Sequence, residues 1–140
     1  MTFKTRERLP GWEQRLFTFL NTARGNDVEW GEFDCAIGLV AGSIEAQTGV
    51  DLGLSHKGKY ADAKEAHRYM RESGWGSLEE MMDGFLERSK RPHRGNIVLI
   101  SNDDWQGFGV RVGARALAYG KNEGLHEYFI PEASPEWSVI

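Results

Sequence analysis

The sequence predicts an α+β protein, with a set of N-terminal helices packed on a C-terminal antiparallel sheet in a single domain over residues 1–140. Three observations carry that expectation. Apolar residues recur at helical spacing as far as Leu86. Short β-rich runs separated by turn residues follow Gly95. Between them lies a basic stretch from Arg88 to Arg94, interrupted by Pro92.

Residues 1–8 read as a flexible N-terminal segment, which Leu9-Pro10-Gly11 closes. Trp12, Leu16, Phe19, Leu20 and Ala23 then share one face, giving a helix from Trp12 to about Ala23 that Arg24-Gly25-Asn26-Asp27 ends. Val28-Glu29-Trp30 is extended and leads into a second helix that begins at Cys35, runs to about Thr48 and stops at Gly49. Asp34 is placed to cap it by accepting a backbone N–H bond from its first turn. Gly38, Gly42 and Ala46 recur every four residues and leave a side-chain-poor groove against which another element can pack closely.

Asp51 to Lys59 reads as a glycine-rich loop. A third helix covers Ala61 to Ser73, with Ala63, Ala66 and Met70 inward and Gly74 as its C-cap. Ser77-Leu78-Glu79-Glu80 is a capping box opening a helix with Met81, Met82, Phe85 and Leu86. Strands are expected at Asn96–Ser101, Phe108–Val112, Ala114–Tyr119 and Leu125–Ile130, with Trp137 to Ile140 as a final edge strand.

Composition narrows the function. The hydrophobic content is 40% and the charged content 27%, those of an ordinary globular protein. A net charge of −4 argues against nonspecific binding to nucleic acid or to an anionic membrane. One cysteine excludes an internal disulfide. Met1 to Gln14 has no signal-peptide core, and no stretch approaches the roughly 20 apolar residues of a membrane span. The expected place is a cytoplasm, unless the protein leaves within a larger assembly.

Cys35 is the residue with the most chemistry to offer. At a helix start it meets the partial positive charge that lowers a thiol pKa and makes sulfur nucleophilic. Asp34 and Glu32 beside it oppose a thiolate, and free cysteine is also among the most buried residue types, so plain packing is the competing reading. A working nucleophile needs a base within hydrogen-bond reach. Of His56, His67, His93 and His126, only His126 lies on a late strand, and neither face of that strand is marked as the core face. No spacing of histidines, cysteine and carboxylates suggests a metal, and no phosphate-binding loop is present, so no cofactor is expected. Arg88, Lys90, Arg91 and Arg94 form a basic loop suited to an acidic partner, and Trp105, beside turn residues, offers a partner an aromatic contact.

These residues resemble a family of small phage and prophage proteins, DUF6950, itself similar to the papain-like NlpC/P60 group. The likeness rests on Trp30-Gly31-x-x-Asp34-Cys35, Thr48-Gly49-Val50-Asp51, Gly58-x-Tyr60, Gly74-x-x-Ser77-Leu78, Arg94-Gly95-Asn96-Ile97-Val98, Gly109-Val110-x-Val112-Gly113, Gly124-Leu125 and Trp137-Ser138-Val139. It implies a papain-like fold with Cys35 at the nucleophile position. Two departures stand out. Gly95-Asn96 replaces the usual Gly-Asp, and matching Phe108-Gly109-Val110 to the strand that follows the family's base histidine puts Gly107 where that histidine belongs. The third polar residue falls near Ala118 or Tyr119, neither of which can serve. The resemblance thus implies a phage tail-tip, baseplate-associated or tail-assembly protein on a degenerate hydrolase scaffold. Its partners would be tail-tip and baseplate-hub proteins, in the virion or in the host cytoplasm during assembly. The alternative is an active cysteine peptidase or amidase cutting cell-wall peptide during genome entry, with Cys35 as nucleophile and His126 as a relocated base.

Overall fold

A computed structural model of the chain describes residues 7–25, 31, 34–120 and 124–139. It is a mixed α and antiparallel β structure, with helices in the first part of the chain and a six-stranded sheet in the second. Helix α1 is Trp12–Ala23, with Leu16, Leu20 and Ala23 buried along one stripe. A π-helical turn, Cys35–Val40, runs directly into α2, Ala41–Thr48, and Gly49 ends α2 in the left-handed conformation at φ 83°. Helix α3 is Ala63–Glu72, capped by Asp62, and α4 is Leu78–Asp83, capped by the Ser77 hydroxyl.

The small-residue groove of the second helix receives α1. A Cβ built on Gly42 would fall 2.4 Å from Cζ of Phe19, a separation that real side chains do not tolerate. Gly42→Leu should therefore destabilise the protein by about 1–3 kcal/mol through overpacking. Urea denaturation monitored by circular dichroism measures this, and an unchanged midpoint would show that the α1 contact does not depend on glycine there.

The sheet order is β1-β6-β2-β3-β4-β5, all antiparallel neighbours, with β1 at Glu87–Arg88, β2 at Ile97–Ser101, β3 at Gln106–Arg111, β4 at Arg115–Ala118, β5 at His126–Phe129 and β6 at Glu136–Ser138. Two sequence expectations are corrected here. The last strand is not an edge, because Glu87 and Arg88 pair on its outer side and leave β6 between β1 and β2. Arg8, which the sequence places in a flexible lead, is instead engaged: its Nε donates to Gln47 Oε1 at 2.8 Å, and the neighbouring Leu9 N–H donates to the Gln47 carbonyl at 2.7 Å. Residues 1–6 lie outside the described residues.

The sheet is covered on both faces. Ile97, Leu99, Phe108, Val110 and Leu117 join the helices in the main core. Val98, Ile100, Ala116 and Ala118, all at most 2% exposed, form a second cluster with Trp105, Tyr128 and Ile130 packed against it. Asn96 is held through its side chain. Its amide nitrogen donates to Glu136 Oε2 at 2.7 Å, while Glu136 also takes a bidentate pair from Arg111 at 2.9 Å. An aspartate at 96 would set a second carboxylate against that of Glu136.

Candidate functional site

Asp34 holds the site together. Its buried carboxylate accepts four hydrogen bonds: Oδ1 from the N–H groups of Ala36 and Ile37, each at 2.9 Å, and Oδ2 from the Gly31 N–H at 3.0 Å and the Tyr60 hydroxyl at 2.7 Å. Two of these bonds cap the π-helical turn, and the Tyr60 bond fastens the glycine-rich loop over the head of that turn. Burial first, and then the Asp34 charge, push the Tyr60 phenol pKa upward, so Tyr60 stays a donor. Gly31 must be glycine: its φ is +83° and an added Cβ would strike the Tyr60 carbonyl.

Cys35 follows at the start of the turn and packs against the main core. Desolvation pushes its thiol up to about 11, opposed by the backbone N–H of Phe108 and reinforced by the Asp34 charge. The helix-start position alone predicts a lowered value; burial outweighs it, so the sulfur is a neutral thiol at physiological pH. Glu32, also expected to act on it, lies outside the described residues.

Sheet register decides which residues can reach this sulfur. Cross-strand partners share a face, and Val98, Gly109, Ala118 and His126 form one continuous row across β2 to β5. That row belongs to the second cluster, on the face turned away from the helices. His126 therefore projects from the opposite side of the sheet to Cys35, and the structure does not bring the two together. Gly107, paired with Ile100, is on that far face too, and a Cβ there would meet only the Trp105 ring, at 3.7 Å. By strand alternation the residue that shares the thiol's side is Gln106, in step with Phe108 and Val110. Gln106 lines the same cleft as Cys35 and donates to Ser101 Oγ at 2.9 Å. The residue of this pair on the thiol's side of β3 is thus Gln106 rather than Gly107, and an amide cannot take a proton in this pH range.

The cleft beside Cys35 has a volume of about 840 Å³. One wall is the π-helical turn and α2; the other is built from α3, α4 and the loop before them. His56 lines it, with Nδ1 2.6 Å from the Tyr69 hydroxyl and its ring against Trp75 and Phe85 at 6.0 Å. Burial, with Lys59 nearby, lowers the His56 pKa, so the ring is neutral at pH 7. Sequence reasoning weighs His56 only to set it aside, touches Tyr60 only through the Gly58-x-Tyr60 motif, and offers no signal for Tyr69 or Gln106.

The basic loop divides on inspection. Arg88 is a strut, bound to Asp83 and Glu79 and lying over the Trp137 ring at 4.9 Å. Lys90, Arg91 and Arg94 are exposed, and Arg94 has only a solvent-exposed 3.5 Å pair with Glu13, of a kind worth about 0–1 kcal/mol. Trp105 is half-buried, edge-on to Tyr128 at 5.1 Å, and lines the cleft rather than standing free. Among the described residues no group of His, Cys, Asp or Glu could hold a metal ion, and no helix is long and apolar enough to cross a membrane.

Compared with known proteins, residues 7–139 match a family described as a domain of unknown function, DUF6950. No curated protein and no solved structure matches the chain.

Proposed function

The chain belongs to the DUF6950 family, and from that premise we propose that it is a phage tail-tip or tail-assembly protein, a binding module on a papain-like, NlpC/P60-like scaffold whose thiol site does no chemistry. It works in the virion or in the host cytoplasm during assembly, through contacts with other tail-tip and baseplate-hub proteins. The observation that carries this reading is the state of the thiol. Burial pushes Cys35 up to about 11, and the side chain on its side of β3 that lines the same cleft is Gln106, an amide that cannot act as a base. The exposed cations Lys90, Arg91 and Arg94 supply a second contact surface for an acidic partner. The alternative, a cysteine peptidase or amidase acting on cell-wall peptide, draws on the Phe108 N–H directed at the sulfur.

A phage carrying Cys35→Ser separates the two. The substitution is nearly isosteric and removes the only thiol, so a binding module assembles tails and infects at close to wild-type efficiency. Particles that form and adsorb but fail to deliver DNA would make Cys35 catalytic and end the binding-module reading. Mass spectrometry of purified particles shows in the same experiment whether the chain is a stoichiometric component.

A further inference from the structure

We propose that the outer edge of β5 pairs with the β5 edge of a second copy of this chain, so that two sheets join across a two-fold axis at Tyr128. This pairing is independent of what the thiol does.

The two ends of the sheet differ. At one, β1 is two residues long and its Arg88 is tied to Asp83 and Glu79, a short charged edge of the kind that resists further pairing. At the other, β5 pairs with β4 alone among the described residues, and its Phe129 is 75% exposed. The ladder fixes which groups of β5 face outward. The Val112 N–H donates to the Arg115 carbonyl at 2.9 Å, so Arg115 and Leu117 turn their backbone groups to β3. Ala116 and Ala118 then turn theirs to β5, where they meet Tyr128 and His126. Glu127 and Phe129 are left with N–H and C=O groups directed away from the sheet, where another strand can add.

Register selects a second copy as that strand. Only outward-facing residues exchange hydrogen bonds, so a symmetric antiparallel pairing has few centres available. Centred on Glu127, it sets that carboxylate against its own copy, with like charges directly opposite. Centred on Phe129, it sets Glu127 against Pro131, which has no N–H. Centred on His126, it carries Phe129 past the end of the opposing β5. Centred on Tyr128, it matches Glu127 with Phe129 of the second copy, and the two-fold repeats the match. All the outward groups of both strands are then used.

That register also pairs charge. Arg115 is the cross-strand partner of Phe129, and its guanidinium carbon lies 4.5 Å from the centre of the Phe129 ring. One row across the joined sheets therefore runs Leu117, Glu127, then Phe129 and Arg115 of the second copy. The arginine lies over the ring that separates it from Glu127 of the other copy, at strand spacings its length can bridge. Arg115 and Glu127 are both exposed, and neither takes part in the ion pairs formed among the described residues.

Sedimentation equilibrium of the full-length protein tests this. The mass should rise with concentration from the 15.8 kDa of one chain toward twice that value. Glu127→Arg and Arg115→Glu should each weaken association at least about tenfold, because each turns two attractions into repulsions. An equimolar mixture of the two variants should recover wild-type association, since a mixed dimer restores opposite charges at both contacts. Amide exchange followed by NMR reads the backbone: the Glu127 and Phe129 N–H groups should exchange more slowly as the wild-type protein is concentrated. A protein that stays monomeric at every concentration overturns the proposal. So do single variants that associate as tightly as the wild type, a mixture no tighter than either variant alone, or Glu127 and Phe129 amides that exchange as fast in the dimer as in the monomer. None of these results touches the Cys35→Ser infection experiment.

Discussion

Gln106→His should react with iodoacetamide at pH 7 roughly 30-fold faster than the wild-type protein. The wild-type thiol, pushed up to about 11, is almost wholly protonated at that pH, and its labelling rate climbs with pH until the thiolate forms. Gln106 is on the face of β3 that Cys35 packs against and lines the same cleft, so a histidine there sets an imidazolium beside the sulfur. An opposite charge at contact distance lowers a pKa by about 1–3 units. Three units raise the thiolate fraction about a thousandfold, while the weaker nucleophilicity of a less basic thiolate, with a Brønsted slope of about 0.4–0.5, takes back most of the square root of that gain. The control is Gly107→His. A Cβ there meets only the Trp105 ring, at 3.7 Å, and the side chain leaves from the far face, so it should leave the rate unchanged. Acceleration at 107 but not at 106 would mean that β3 turns its other face to the thiol.

Asp34→Ala should cost about 3–5 kcal/mol, the largest stability loss expected from any single polar substitution at the site. Loss of a helix cap alone costs about 0.5–2 kcal/mol. Here the same carboxylate also satisfies Gly31 and Tyr60, so removal leaves three backbone N–H groups and one phenol without their acceptor. Each buried donor left unmet costs about 1–3 kcal/mol, and the losses of neighbours fall short of additivity. Tyr60→Phe deletes one bond of the four and should cost about 1 kcal/mol. Urea denaturation of both variants measures the difference. Equal midpoints would mean that Asp34 does no more than hold Tyr60.

What the sequence made legible was local. Leu16, Leu20 and Ala23 mark α1 to its last residue, and Asp34 reads as a cap because an aspartate before an apolar helical run has few other uses. The position of the base was not legible, for a physical reason. Alternation reveals a strand's inner face only when the other face is wet, and here Val98, Ile100, Ala116 and Ala118 are as dry as Ile97, Leu99 and Phe108. Gly107 and Gly109 add no side chain to break the tie. Strand faces around Cys35 therefore cannot be told apart from alternation, and only the register shows that Gly107 and His126 both lie on the far face. The cleft was hidden for a different reason: its walls come from segments far apart in sequence, and the residues that shape it, such as Tyr60 and Met81, look like ordinary loop and core positions.

The seating of β6 between β1 and β2 has a consequence for the order in which the molecule assembles. The meander β2 to β5 joins strands that are neighbours in sequence, so its loops close at little entropic cost and it can zip up early. The pairs Glu87↔Ser138 and Ile97↔Trp137 span that entire meander, so their closure carries the largest loop entropy and is expected last. β1 and β6 therefore act as a late clasp. Trp137, wholly buried and donating its indole N–H to Asp83 at 2.8 Å, locks that clasp from inside.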